Sequence, residues 1–294
     1  MASVRDLRSR IKSVGNIRQI TRAMEMVAST KLRRFQDRAV ASRPYAREIA
    51  GLVGRLAGLL GDDVGDRPLF KDGAGEKTAI LLVTSDRGLC GAYNSNLFRF
   101  LEQWLREHPA AQPRYYVYGR KGYQYLCRRG REEQIERFLV EPVLEQTDYR
   151  AAARTSNLLV QAFQSGQYKD VLILYTAFET MVRYLPTCVP LLPIRSDNLA
   201  AGPGEKSAAT DVILEPDPAT IFDQLVPRYL ETRVYNALLE SLTSEYASRR
   251  FSMKNATDAA KGMQNVLKGK YNRKRQETIT KELLDIVGGA EALR

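Results

Sequence analysis

LLESLTSEYASRRFSMKNATDAAKGMQNVL, residues 238–267, decides the architecture. Leu239, Leu242, Tyr246, Arg249, Met253, Ala256, Ala260, Met263 and Leu267 recur at alternating steps of three and four. Those steps average the 3.5-residue repeat that winds two helices into a left-handed coiled coil. Arg249 interrupts the apolar series: either it sits in the seam as a polar, register-setting residue, or the stripe rotates there. Upstream, Asp217–Pro218 supplies an N-cap and a proline at the first helical position. Downstream the steps lengthen to four at Tyr271, Arg275, Ile279 and Leu283, where the helix is expected to straighten and leave its partner. Gly288–Gly289 is expected to end it. At about 1.5 Å per residue, a helix of about 70 residues is a rod on the order of 100 Å long.

The partner lies at the other end of the chain. Val4, Leu7, Ile11, Val14, Ile17, Ile20, Met24 and Val27 mark one helical face. Ser3 with Asp6 has the spacing of a capping box, so this helix should begin almost at the first residue. Three steps of three, from Ile11 to Ile20, and then a four to Met24 read as a stammer that overwinds the coil. Pro44 is expected to kink or briefly interrupt the helix before YAREIAGLVGRLAGLL (45–60) resumes it. Residues 1–60 and 217–294 are thus expected to pair as an antiparallel coiled coil. The exterior of the first helix is basic, with Arg5, Arg8, Arg10, Lys12, Arg18, Arg22, Lys31, Arg33 and Arg34 set against Asp6 and Glu25.

Between the rods, residues 76–195 alternate strand and helix signals. TAILLVTS (78–85) is a short apolar run of the kind that fills a buried parallel strand. RYYVYG (114–119), FLV (138–140), DVLILYTAF (170–178) and VPLLPI (189–194) follow as strands. Helical patterns lie after DRGLCGAYN (86–94), around KGYQYLCRR (121–129) and from Tyr149 to Ser165. The fold class is therefore α/β, an open Rossmann-like sheet inserted between two coiled-coil helices. Residues 196–216, containing GPGEKSAAT, read as a flexible loop.

Such a sheet invites a nucleotide-binding reading, which its glycines do not support. GAGEKT (73–78) places Glu76 between Gly75 and Lys77 and precedes the strand, whereas a phosphate loop follows one. GPGEKS (202–207) fails likewise, and GLCG (88–91) is not GxGxxG. These glycines read as turn residues. Asp86 and Arg87, at the C-terminal end of the first strand, stand where α/β enzymes keep catalytic groups; a loop salt bridge or docking contact is the simpler account.

The 294 residues carry a net charge of +11, which predicts an acidic partner: nucleic acid, anionic lipid or an acidic protein surface. Cys90, Cys127 and Cys188 form no close pair, so neither a disulfide scaffold nor a structural zinc site is expected. The single His108 precedes Pro109 as a surface residue. No apolar run reaches the roughly 20 residues that span a bilayer. MASVRDLRSRIKS lacks the apolar stretch of a signal peptide, so the chain reads as cytoplasmic.

IRQITRAMEMVASTKLRR (17–34), TSDRGLCGAYNSNL (84–97), LEPDP (214–218) and YNRKRQETITKELLDIVGGAEAL (271–293) together resemble the gamma subunit of bacterial F-type ATP synthase, and the likeness covers essentially the whole chain. The resemblance implies a central rotor shaft without catalytic residues or cofactor. Its coiled coil would rise through a ring of alternating alpha and beta subunits, and its α/β domain would form the foot that meets epsilon and the membrane c-ring. Turning with the ring, the asymmetric shaft would drive each beta subunit through open, loose and tight states. Carried over by motif, Met24 faces a beta-subunit loop, Arg275, Gln276 and Thr280 meet a beta catch loop, and Arg249 matches an arginine linked to coupling. Leu283 to Leu293 would sit in a hydrophobic collar, and Glu215 would touch the c-ring loop. The resemblance also implies a peripheral position on the cytoplasmic face of a bacterial cell membrane. The redox-regulated insertion of the chloroplast form is absent, so thiol control is not expected, and the charged opening residues read as mature helix in place of a transit peptide, which favours a bacterial source.

Two other functions fit parts of the chain. A nucleic-acid-binding protein with a basic coiled-coil arm would bind with a steep salt dependence, although few aromatics interleave its basic stretches. A nucleotide-dependent enzyme of the doubly wound class would bind ATP or NAD saturably.

Overall fold

The computed structural model describes residues 3–195, 215 and 217–291. The elements are α1 (Val4–Leu60), β1 (Lys77–Val83), α2 (Tyr93–Glu107), β2 (Gln112–Tyr118), α3 (Arg120–Arg128), β3 (Ile135–Leu139), α4 (Tyr149–Gln164), β4 (Tyr168–Phe178), β5 (Tyr184–Leu192) and α5 (Pro218–Glu291). The chain divides into two compact units, one of residues 1–30 with 249–294 and one of residues 31–248. The division falls inside α1 and α5. The loop expected at 196–216 lies almost wholly outside the described residues, apart from Glu215.

Both caps form as their residues require. The Ser3 backbone N–H donates to Asp6 Oδ2 and the Asp6 N–H to Ser3 Oγ, each at 3.1 Å. At the head of α5, the Thr220 N–H donates to Asp217 Oδ1 at 2.9 Å. Pro44 does not interrupt α1, which is helical on both sides of it. Gly288–Gly289 does not end α5 either: the helix passes through both glycines to Glu291. Each glycine costs only about 1 kcal/mol relative to alanine, too little by itself to terminate a helix of that length.

In the unit built on residues 31–248, the sheet has the order β3-β2-β1-β4-β5, with β4–β5 antiparallel and the other pairs parallel. β1 lies at the centre and is buried along its whole length except at Lys77, as its unbroken apolar run predicts. Ile80, Leu82, Tyr115 and Val117 pack with Leu97 and Leu101 of α2 and Leu126 of α3. On the opposite parity of β2, Tyr118 meets Thr155 of α4 through hydroxyls 2.8 Å apart. Gly73 and Gly75 answer the phosphate-loop question. A Cβ on Gly73 would lie 1.9 Å from the Tyr168 carbonyl oxygen, and one on Gly75 would lie 2.0 Å from the Gln167 carbonyl carbon. These glycines let the chain entering β1 run against the start of β4.

In the unit built on residues 1–30 and 249–294, the two helix ends form an antiparallel coiled coil. Thr257 donates its hydroxyl to Thr21 at 2.9 Å. A Cβ on Gly15 would lie 3.1 Å from Gln264 Nε2, so the helices approach closely there. The seam corrects both stripes read from sequence. On α1 the shielded residues are Val4, Leu7, Ile11, Val14, Arg18, Thr21, Glu25 and Ala28, an unbroken heptad phase without a stammer. Ile17, Ile20 and Val27 point to solvent, Ile17 with 52 % of its surface exposed. On α5 the phase continues through Met253, Ala260, Gln264, Leu267, Tyr271, Lys274 and Thr278. Met263, Arg275, Ile279 and Leu283 lie outside it. The repeat therefore does not lengthen to steps of four after Leu267.

Candidate functional site

Two surfaces could carry function, one in each unit. In the coiled coil, Met24 is half-buried at the margin of the seam, while Arg249 is buried, with 7 % of its surface exposed. Arg275, Gln276 and Thr280 are all exposed. Counting from the Gly15–Gln264 and Thr21–Thr257 levels, Arg249 falls within two turns of Met24 and Arg275 falls level with Val4. Arg275, Gln276 and Thr280 thus form a separate group about 20 residues, or about 30 Å, along the helix from Met24. The structure does not bring the two groups together. Glu215 is exposed, and the rest of its LEPDP motif lies partly outside the described residues.

The coil buries little of its own apolar surface. Leu7, Ala28, Met253 and Ala260 are buried, but Ile17, Ile20, Met26, Val27, Met263, Val266 and Ile279 stand in solvent, as do Leu283, Leu284, Ile286 and Val287 near the end of α5. Rows of large apolar side chains on this scale mark a surface that a partner covers.

The α/β unit holds a different kind of site. Glu145, on a 3-10 turn at Leu144–Gln146, pairs with Lys31 of α1 and accepts the Tyr246 hydroxyl of α5 at 2.7 Å. Two residues on, the Thr147 carbonyl accepts from Arg38 Nη2 at 3.1 Å, and Arg38 also donates to the Tyr235 hydroxyl at 3.2 Å. After two more residues, the Tyr149 hydroxyl donates to Glu231 Oε2 at 3.0 Å. Alternate residues of one short segment therefore tie α1 and α5 to the sheet domain. Burial alone would push the Glu145 carboxyl up, but the hydrogen bonds from Lys31 and Tyr246 outweigh it and hold the group below the usual carboxylate range.

Asp86, Arg87 and Arg120 line a cleft of about 180 Å³ beside this segment, at the C-terminal end of β1, with Leu144, Glu145, Glu245 and Tyr246. Asp86 Oδ1 accepts the Arg120 backbone N–H at 3.1 Å, which places it as a cap at the start of α3. Among the described residues, no three His, Cys, Asp or Glu side chains come together in a metal-binding group. Sequence reading missed Lys31, Glu145, Thr147 and Tyr149 because their partners lie about a hundred residues away and no local spacing signals them.

The sequence model of the ATP synthase family matches residues 3–293. The ATP synthase gamma chain of Moorella thermoacetica is 40 % identical, and that of Geobacter metallireducens 37 %, each alignment covering all of both chains. Among solved structures, a chain in the central stalk of the Tetrahymena thermophila mitochondrial ATP synthase superposes with a TM-score of 0.61. It is 25 % identical, over 81 % of this chain and 99 % of that one. A chain of the Euglena gracilis mitochondrial ATP synthase, 18 % identical, gives 0.64 over 99 % of this chain and 94 % of that one, a likeness of fold.

Proposed function

Because the chain belongs to the ATP synthase gamma-chain family, we infer that it is the central-stalk rotor subunit of an F-type ATP synthase. It transmits torque between the membrane c-ring and the alpha/beta hexamer, coupling ion translocation to ATP synthesis or hydrolysis. The observation that carries this reading is the coiled coil, whose seam is narrow and whose large apolar residues face outward. A helix pair of that kind is stable and useful inside a sleeve of other subunits. The nucleic-acid alternative is set aside because a whole-chain match to ATP synthase accounts for the basic coil without it.

In this reading the chain itself is non-catalytic, and the complex carries the ATPase chemistry in its hexamer. Met24 and Arg249 act where the coil meets the beta subunits, and Arg275, Gln276 and Thr280 act at a second level of the same contact. Glu215 faces the c-ring, and epsilon packs on the α/β unit. No helix among the described residues is long and apolar enough to cross a membrane. As part of the complex, the subunit is a peripheral component at the cytoplasmic face of a bacterial membrane, held there through its partners. Coupling requires that the three beta subunits differ in contact energy with the shaft, since equal contacts shift no population. Covalently cross-linking the shaft near Arg275 to a beta subunit is expected to abolish coupled ATP synthesis. Synthesis that persists with the cross-link intact overturns the rotor reading.

A further inference from the structure

Resting on the rotor reading, we propose that Ser241, Ser244 and Ser248 are positioning residues that form a torsional lock, through which the α/β unit grips α5 and stops it turning about its own axis under load. Steps of three and four place the three hydroxyls within about 60° of arc on one helix face. All three residues are buried, with 0 %, 0 % and 2 % of their surface exposed. Each bonds to a different segment. The Ser241 and Tyr93 hydroxyls lie 2.6 Å apart at the start of α2. Ser244 donates to the Thr176 carbonyl of β4 at 3.1 Å, and Ser248 to the Cys90 carbonyl in the turn after β1 at 2.6 Å.

This use of serine differs from its neighbours'. A hydroxyl inside a helix commonly turns back onto its own backbone, as Thr232 does onto the Arg228 carbonyl and Thr243 onto Leu239. The three serines reach outward instead. An apolar side chain of similar size would fill the same space, but apolar contact is non-directional and tolerates sliding. Hydrogen bonds are not so tolerant. Turning α5 by about 20° carries an Oγ about 4–5 Å from the axis through about 1.5 Å, which lengthens and bends all three bonds together and so weakens each of them. Tyr246, bound to Glu145 at 2.7 Å, projects from nearly the opposite face of α5. The helix is thus held by directional bonds on both sides, the arrangement that best opposes rotation.

The test replaces each serine by alanine, singly and together, in the assembled synthase in sealed vesicles. ATP hydrolysis, ions pumped per ATP and the torsional stiffness of single rotating complexes are measured. The triple variant is expected to hydrolyse ATP without a gradient within about twofold of wild type, while stiffness falls about twofold and pumping against a gradient falls severalfold. A role confined to folding would lower the yield of complex and leave stiffness and pumping ratio per assembled complex unchanged. Should the triple variant not assemble, Ser248→Ala decides the matter by a measurable fall in stiffness. Unchanged stiffness and pumping ratio in whichever variants assemble overturn the lock. A wild-type complex in which this chain does not rotate would overturn the rotor reading itself, a distinct outcome.

Discussion

Replacing Glu145 by alanine removes a carboxylate that touches both long helices within the α/β unit. Its two bonds differ in worth. Tyr246 has only 6 % of its surface exposed, and its hydroxyl donates to the charged Oε2 at 2.7 Å. A bond of that kind contributes about 1.5–3 kcal/mol. The Lys31 pair is screened, since both side chains are about a third exposed, and it adds roughly 0.5 kcal/mol. Glu145→Ala is therefore expected to lower stability by about 2–3 kcal/mol. Glu145→Gln keeps an acceptor for Tyr246 and loses only the charge, so it should cost about 1 kcal/mol. Urea unfolding followed by circular dichroism reads both as midpoint shifts at constant slope. The pH dependence provides a second check. With the folded-state pKa of Glu145 depressed, its stabilisation is present above the unfolded value near about 4.3 and is lost as pH falls through the folded value. The gap between wild type and Glu145→Gln should narrow as pH falls below the unfolded value and close once pH lies below the folded one. An alanine variant within about 0.5 kcal/mol of wild type at neutral pH would refute the bridge.

Two further outcomes are expected. Gly75→Ala forces a Cβ to within 2.0 Å of backbone at Gln167, so it should destabilise the sheet by about 3 kcal/mol or more in the same urea assay. In the isolated chain, Met253→Ala should open the seam and speed amide hydrogen exchange across residues 4–30 by about thirtyfold, the equivalent of about 2 kcal/mol. Ile17→Ser, on the solvent face, should leave that exchange unchanged within about twofold.

The sheet was legible because its signals are local. β1 announces itself as an unbroken apolar run, and the caps at Ser3 and Asp217 are fixed by bonds to residues three positions on. The seam was not legible in its phase. Read by hydrophobicity, Ile17, Ile20 and Val27 displace Arg18, Thr21 and Ala28, and Met263, Arg275 and Ile279 displace Gln264, Lys274 and Thr278. Where the two differ the error is one residue, while Val4 to Val14 and Met253, Ala260, Leu267 and Tyr271 were read in phase. Periodicity reports where a chain needs to be dry, and it does not say whether a neighbouring helix or another subunit keeps it so. Sequence pattern missed the Glu145 segment for a different reason: its alternation of partners becomes visible only once α1 and α5 lie beside it.

That phase error itself supports the assembly. A two-stranded coil built for its own stability would place its isoleucines in the seam and its arginines outside. Here Arg18, Thr21, Gln264 and Lys274 occupy seam positions while Ile17 and Ile20 face outward. The polar seam weakens pairing but distinguishes one register from its neighbours. A slip of one heptad would set Thr257 against Val14 or Ala28 and lose its 2.9 Å bond to Thr21. Fixed register matters to a shaft that must present a different face to each of three similar partners, because each 1.4 kcal/mol of difference in contact energy shifts a partner's conformational equilibrium about tenfold. Apolar residues on the outside then supply the contact, and polar residues on the inside keep its asymmetry constant from turn to turn.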